Sequence, residues 1–321
     1  MERLNWAILG TGKIGHRFAE GLKKSKTGRL AVIGSRDAET ALAFAARHGG
    51  KGFGSYDAAL NQPEVDAVYI SLPHHMHKEW TIRCAEADKH ILCEKPFTLT
   101  AEEAKEALEA VRAAEVFFME AFMYRCHPQT QRLRQLVEQG AIGKIMAIHS
   151  EFGYATARDW QNFRRVKEVG GGALMDVGCY CISMCRMIAG EEPGRCEYDA
   201  QFAPEGYDAV GTGLLAFPSG VRASFATAMH AQLRNDVRIY GSDGWIHVPS
   251  PWFCEEPIVL YSNDQKPRKF SDGSSLDLYG NESDVVAANI SAKEAPQMTW
   301  EDTLANMKTL DAMRRSAGLA F

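Results

Sequence analysis

The sequence predicts a doubly wound α/β parallel sheet followed by a second domain built on an antiparallel or mixed sheet. Three observations carry that prediction. Strand and helix signals alternate as far as about Met123. A glycine-rich turn, Gly10 to Gly15, joins the first strand to the first helix. Beyond it, strand signals follow one another with few helices between them.

Leu4–Leu9 reads as a short apolar strand, and the helix after the glycine turn runs to about Ser25. Leu30–Gly34 is the second strand, and Ala38–His48 a helix stopped by Gly49-Gly50. Val65–Leu72, His90–Cys93 and Val116–Ala121 read as further buried strands, with helices His77–Ala87 and Ala101–Ala114 between them. Such alternation means parallel strands joined by crossover helices. In the second half a helix, Gln129–Gln139, leads into strand Ile145–Phe152, and a glycine run opens a helix over Gly172–Ile188. Strands Cys196–Phe202, Ala209–Phe217, Val221–Ala228, Val237–Tyr240, Trp245–Val248 and Ile258–Tyr261 follow, with Asp243-Gly244 as a hairpin turn. The polar stretch Asn263–Gly280 reads as a loop. Thr299–Ser316 reads as a closing amphipathic helix, with Thr299 as N-cap, Asp302 completing a capping-box pattern and Gly318 ending it.

A chain of 321 residues with 45% hydrophobic content can bury one large or two ordinary cores. Its net charge of −5 excludes the basic footprint of a nucleic-acid binder and a polybasic membrane patch. The first residues run straight into a strand, with no signal-peptide pattern and no apolar run long enough for a bilayer. Eight scattered cysteines then read as reduced thiols, and the expected location is cytoplasmic.

Gly10-Thr11-Gly12-Lys13-Ile14-Gly15 matches G-x-G-x-x-G in the strand–turn–helix context the motif needs. Its glycines permit a tight turn and close approach of a pyrophosphate, to which the helix N-terminus offers N–H groups and positive dipole. An NAD site would place Asp or Glu at the end of the second strand. Ser35-Arg36 stands there instead, and a guanidinium beside a hydroxyl suits a 2′-phosphate, so NADP is expected ahead of NAD. The alternatives are a solvated Arg36 and an Asp37 turned inward.

Glu94-Lys95-Pro96 follows the fifth strand, at the sheet edge where ligands sit. Lys95 there is a candidate to hydrogen-bond a substrate hydroxyl or to lower the pKa of a neighbouring acid–base group, with Pro96 stiffening the loop. Taken alone the pair reads as an ordinary surface Glu–Lys pair. In the second half, Gly170-Gly171-Gly172 is expected to let backbone approach a flat ligand. Asp176 and Tyr180, four residues apart on the following helix, share a face with Ser183 nearby. An Asp to bind a diol and a Tyr to exchange a proton suit alcohol oxidation; since a free Tyr titrates near 10, it needs a cation such as Lys95. A buried Tyr bonded to a structural Asp is the alternative.

In order along the chain, the Gly10 fingerprint, Ser71-Leu72-Pro73 with His77, Glu94-Lys95-Pro96, Glu120-Ala121 with His127-Pro128, and the triple glycine with Asp176 and Tyr180 together resemble the Gfo/Idh/MocA oxidoreductases. The resemblance covers essentially the whole chain. It implies an N-terminal Rossmann domain over 1–122 and, over 123–321, an α+β domain with an open, mostly antiparallel sheet for substrate binding and oligomerisation. The helix at about 299–316 is free to pack back on the first domain. It also implies Lys95 at the active site, and Leu72, Pro73, His77 and Glu94 beside the cofactor. Tyr180 stands where many members have His, which resembles the branch of glucose–fructose oxidoreductase, dimeric dihydrodiol dehydrogenase and NADP-dependent xylose dehydrogenases. His74 stands where Asn is common.

The expectation is an NADP-dependent oxidoreductase moving a hydride to or from a sugar, sugar derivative or diol. Tyr180 is its acid–base group, Lys95 the assistant, and Asp176 binds a neighbouring hydroxyl. Trp160 and Arg164 are candidates for lining the substrate pocket or approaching the cofactor, with surface placement as the alternative. A homodimer or higher homo-oligomer is expected. A nicotinamide-binding sensor without turnover is the competing class; the presence of Lys95, Asp176 and Tyr180 favours the enzyme. His74, His75 and His77 lack metal-ligand spacing, so no metal is expected. Cys179, Cys181 and Cys185 read as core, Cys126-His127 as structural, and Glu102, Glu103, Glu106 and Glu109 as a solvated helix face over buried Ala104, Leu108 and Val111.

Overall fold

The computed structural model describes residues 3–157, 160–263, 265–273 and 276–319. The chain forms two compact units, Met1–Cys126 with Ser275–Leu304, and His127–Ser274 with Ala305–Phe321.

In the first unit β1 (Leu4–Leu9), α1 (Lys13–Leu22), β2 (Gly28–Gly34), α2 (Ala38–His48), β3 (Lys51–Phe53), α3 (Tyr56–Leu60), β4 (Ala67–Ile70), α4 (His77–Glu86), β5 (His90–Glu94), α5 (Ala101–Ala114), β6 (Phe118–Ala121) and α6 (Met123–Cys126) follow one another. All the strand pairs are parallel, in the order β3-β2-β1-β4-β5-β6. Helices cover both faces, so β4 and β6 are buried at every residue; β4 reads as a continuous apolar run, whereas β6 carries the buried Glu120. The order reverses between β1 and β4, and ligands of such sheets sit at that switch point, outside the carboxyl ends of the strands. Phe18 of α1 stacks on Tyr69 of β4 at 3.9 Å. On α5, Ala104, Leu108 and Val111 are buried as expected, but Glu103 is not merely solvated. Its carboxylate accepts the Leu99 amide at 3.0 Å while Thr100 accepts the Glu103 amide at 3.2 Å, a cap that reaches one residue beyond the usual capping box.

In the second unit α7 (Pro128–Glu138) leads to β7 (Ile145–Gly153), and α8 (Cys179–Ala189) is followed by β8 (Arg195–Phe202), β9 (Asp208–Ala216), β10 (Arg222–Ala228), β11 (Val237–Gly241), β12 (Gly244–Val248), β13 (Ile258–Ser262) and β14 (Arg268–Phe270). These strands form one sheet in the order β14-β13-β12-β11-β7-β10-β9-β8. Every pairing is antiparallel except β7 with β10. The stretch Lys167–Ala189 is long and apolar enough to cross a membrane by length and composition, contrary to the sequence reading, but 89% of its apolar window is buried in the protein. From Leu174 onward it is the core helix under the sheet: Cys181 and Cys185 are buried in it, and its first turn, Leu174–Gly178, is a π-helix.

Two helices close the chain, α9 (Leu278–Asn289) and α10 (Trp300–Ser316). The polar stretch Asn263–Gly280 is not simply a loop, since it holds β14 and opens α9; Asp264, Ser274 and Ser275 lie outside the described residues. The short elements β3, α3, α6, β14 and the helix α9 carry too little periodicity to stand out. The last pair between β11 and β12 is Tyr240 with Trp245, so their turn spans 241–244 and contains Asp243-Gly244. Thr299 caps α10 by accepting the Asp302 amide at 3.2 Å, and the Asp302 carboxylate pairs with Arg125 at 3.0 Å. His127 is structural: its Nδ1 accepts the Gln129 amide at 3.2 Å at the start of α7.

Candidate active site

The cofactor elements converge at the carboxyl edge of the first unit's sheet. Gly10 has φ +104°, and a Cβ there would stand 2.8 Å from the Ser71 carbonyl oxygen. At Gly15 a Cβ would stand 2.7 Å from the Gly10 carbonyl oxygen, so both positions need glycine for the protein's own packing. Gly12 differs. It is the N-cap of α1 with φ −75° and no capping side chain, and a Cβ there would meet nothing within 4 Å. Its amide neighbourhood, with Thr11, Lys13 and Ile14 half-buried or exposed, is open to an anion.

Ser35 is buried and its amide donates to the Phe53 carbonyl at 3.0 Å. Arg36 is exposed, with its guanidinium near the Tyr56 hydroxyl. Asp37 does not turn inward. Its carboxylate caps α2, accepting the Thr40 amide at 2.7 Å, the Glu39 amide at 3.3 Å and the Thr40 hydroxyl, and these bonds hold its pKa below the usual range. The carboxylate that an NAD site needs is therefore already engaged, while the residues present suit a 2′-phosphate.

Leu72, Pro73 and His77 follow β4. His77 is fully buried, its Nε2 2.8 Å from the Leu72 carbonyl and its Nδ1 3.0 and 3.2 Å from those of Pro96 and Phe97. Burial pushes its pKa down to about 4, opposed by the three carbonyls, so at neutral pH the ring is neutral and its single N–H donates on one side only, to the Leu72 carbonyl or to those of Pro96 and Phe97. Lys95 and Glu94 are buried to within 8% exposure, which excludes an ordinary surface pair. Glu94 accepts the Tyr69 hydroxyl and, at 3.3 Å, the Lys95 amide; the Lys95–Pro96 peptide bond is cis.

The second unit brings together three of the candidates. Asp176 and Tyr180 are both buried. The Asp176 carboxylate accepts Arg164 Nε at 2.7 Å and the Tyr154 hydroxyl, so Arg164 is tied to Asp176 and not simply at the surface. Burial and the Asp176 charge raise the Tyr154 pKa. The Tyr180 ring stands edge-on to Phe152 at 5.2 Å and to Trp252 at 5.6 Å. Trp160 is half-buried, its carbonyl accepting Arg165 Nη1 at 3.2 Å. Tyr154, Phe152 and Trp252 were missed because they come from β7 and the segment after β12, with no local motif to flag them.

The triple glycine serves the protein rather than a flat ligand. Gly170 and Gly172 have φ +84° and +119°. A Cβ on Gly171 would stand 2.6 Å from the Arg164 and Val166 carbonyls, and one on Gly172 would collide with the Asp208 carboxylate. That carboxylate accepts the Leu174 amide and the Tyr198 hydroxyl, each at 2.7 Å, and burial raises its pKa to about 6. Among the described residues no group of three or more His, Cys, Asp or Glu is arranged to hold a metal ion.

A sequence model described as an oxidoreductase family with an NAD-binding Rossmann fold matches residues 4–122, and one for a Gfo/Idh/MocA C-terminal domain matches 130–247. The chain is 31% identical to a D-xylose 1-dehydrogenase (NADP(+)) of Haloferax volcanii, over 97% of both chains. It is 30% identical to a trans-1,2-dihydrobenzene-1,2-diol dehydrogenase of Xenopus tropicalis, over 98% of both. Among solved structures, a 3-ketoreductase of Actinomadura kijaniata, in complex with TDP-benzene and NADP, superposes with a TM-score of 0.90 at 25% identity over 98% of both chains.

Proposed function

Because this chain belongs to the Gfo/Idh/MocA oxidoreductase family, we propose that it is an NADP-dependent oxidoreductase acting on a hydroxyl-bearing or carbonyl carbon of a sugar, sugar derivative or diol. The observation that carries the cofactor choice is the end of β2, where Asp37 is consumed as a helix cap while Ser35 and Arg36 stand at the ribose position. The NADP-dependent xylose dehydrogenase and the NADP-bound ketoreductase among its relatives support the same choice.

The residues at the fingerprint fit the group: an uncapped helix N-terminus at Gly12, with room above it, suits a pyrophosphate. When bound, the nicotinamide supplies or takes up the hydride at its C4. In oxidation Tyr180 takes the substrate hydroxyl proton, and in reduction it returns it. Lys95 orients the substrate oxygen and favours the anionic form of the tyrosine. Asp176 receives a neighbouring hydroxyl, with Arg164 and Tyr154 holding its carboxylate in one orientation.

A homo-oligomer is part of this reading. Leu214 and Tyr240 of the sheet are 56% and 39% exposed, and Trp245 stacks on Tyr261 at 4.1 Å beside Tyr240. The test of the whole reading is a fluorescence titration with NADPH and NADH, followed by a panel of aldoses and diols. Tighter NADPH binding with panel-dependent oxidation supports it. NADH preference overturns the cofactor assignment, and binding without turnover on any compound favours a sensor.

A further inference from the structure

Glu120 takes no part in the chemistry above, yet its surroundings give it a task. It lies on β6 opposite Cys93 of β5 and is fully buried. Its Oε1 accepts the Phe97 amide at 3.0 Å. Phe97 lies beyond the end of β5 and is itself fully buried, so a strand ladder does not serve its N–H. Such an amide left unpaired would be destabilising, since a buried N–H with no acceptor keeps the full cost of its lost hydration.

On its other side stands His77, whose Nδ1 lies 3.0 and 3.2 Å from the Pro96 and Phe97 carbonyls. Downstream, Glu103 accepts the Leu99 amide at 3.0 Å. The turn that follows Lys95 is therefore bound at its N–H groups by side chains from β6 and α5, with His77 of α4 packed against its carbonyls. A carboxyl is a costly group to bury when any neutral acceptor would satisfy one amide. Burial, together with the Asp302 charge, pushes the Glu120 pKa up to about 8, so it accepts the Phe97 amide as a neutral acid at pH 7.

We infer that Glu120 is a positioning residue for Lys95: by accepting the Phe97 amide it fixes the turn Lys95-Pro96-Phe97, and with it the direction in which the lysine leaves β5. The inference rests on the proposed role of Lys95. A displacement of about 1 Å at a catalytic group costs on the order of a hundredfold in rate, so a lysine at the mouth of a loop needs such an anchor.

The test compares wild type, Glu120→Ala, Glu120→Leu and Glu120→Gln, each also in a Lys95→Ala background. Two readouts are taken: amide hydrogen exchange across residues 95–99, and kcat, KM and NADPH affinity with a substrate from the panel. Glu120→Ala and Glu120→Leu should speed exchange across 95–99 and lower kcat by roughly 10–100-fold, leaving KM and NADPH affinity within about threefold. Glu120→Gln, which keeps an acceptor oxygen, should preserve both protection and kcat to within about threefold. With Lys95 already removed, the Glu120 substitutions should lower kcat no further. An equal loss in the Lys95→Ala background, or unchanged exchange in Glu120→Ala and Glu120→Leu, overturns the proposal. A wild type that binds NADPH but turns over no sugar or diol refutes the proposed function instead. The exchange comparison, which needs no substrate, then still decides whether Glu120 holds the turn.

Discussion

The two units solve the problem of a functional glycine differently. At the fingerprint, Gly10 and Gly15 are fixed by contacts with Ser71 and with each other, while Gly12 has an ordinary φ and open space where a side chain would go. In the second unit Gly171 and Gly172 face protein atoms on every side that matters, the Arg164 and Val166 carbonyls and the Asp208 carboxylate. The polar groups differ in the same sense. The α1 N-terminus is left uncapped, whereas Asp176 is already bound by Arg164 and Tyr154. One unit keeps room for a ligand and the other packs its glycines against backbone carbonyls and the Asp208 carboxylate.

The sharpest test of that contrast is Tyr180→Phe, which should lower kcat by about 10²–10⁴-fold with NADPH affinity unchanged. Steady-state kinetics beside an NADPH titration reads both, and surviving turnover would remove Tyr180 from its role. Next in size, Arg36→Ala should weaken NADPH binding by roughly 10–100-fold and leave NADH binding as it was, since a charge-assisted bond to a phosphate is lost. Equal loss for both dinucleotides would break the assignment of Arg36 to the 2′-phosphate.

The glycines can be set against each other directly. Gly172→Ala should cost about 1–3 kcal/mol of stability, because φ +119° and the Asp208 carboxylate both oppose a side chain. Gly12→Ala should leave the melting midpoint nearly unchanged and weaken NADPH binding instead. Melting curves with and without NADPH separate the two cases, and reversed results would invert the comparison.

The smallest effect concerns pH. The folded Glu120 is raised to about 8 from an ordinary 4.5, so its contribution is present below pH 4.5 and is lost as pH rises toward 8. Glu120→Gln has no such loss. Its stability relative to wild type should grow from pH 4.5 upward and level off above about pH 8. His77 acts oppositely: its pKa of about 4 makes the fold lose stability as pH falls from 6.5 toward 4, a slope both proteins share.

The same contrast explains what was legible in the sequence. The first unit's site is written in short segments, each at the end of its own strand, so Gly10 to Gly15, Ser35-Arg36 and Glu94-Lys95 could be read locally. The engagement of Asp37 as a cap was open because the choice between facing a ribose and capping α2 depends on backbone direction, which residue types do not reveal. In the second unit only Asp176 and Tyr180 share a local segment. Tyr154 and Trp252 reach them from 22 and 72 residues away in sequence, and Asp208 explains Gly172 from 36 residues on. No spacing rule connects such positions. The glycine run was seen, but its purpose lay in a partner that the segment does not contain.

The lone parallel pair of the second sheet has a consequence for synthesis. β7 lies between β10 and β11, so Ala147 finds its partners only at Arg222 and Tyr240, 75 and 93 residues later. At about 5–20 residues per second, a ribosome takes roughly 4–15 s to deliver the nearer one. During that interval β7 has neither neighbour, whereas β8, β9 and β10 can pair as they emerge. The sheet can therefore begin with β8, β9 and β10 and take in β7 only once β10 is made, with β11 to β14 added afterwards, a slow, long-range closure during which chaperone capture of the waiting strand competes with folding.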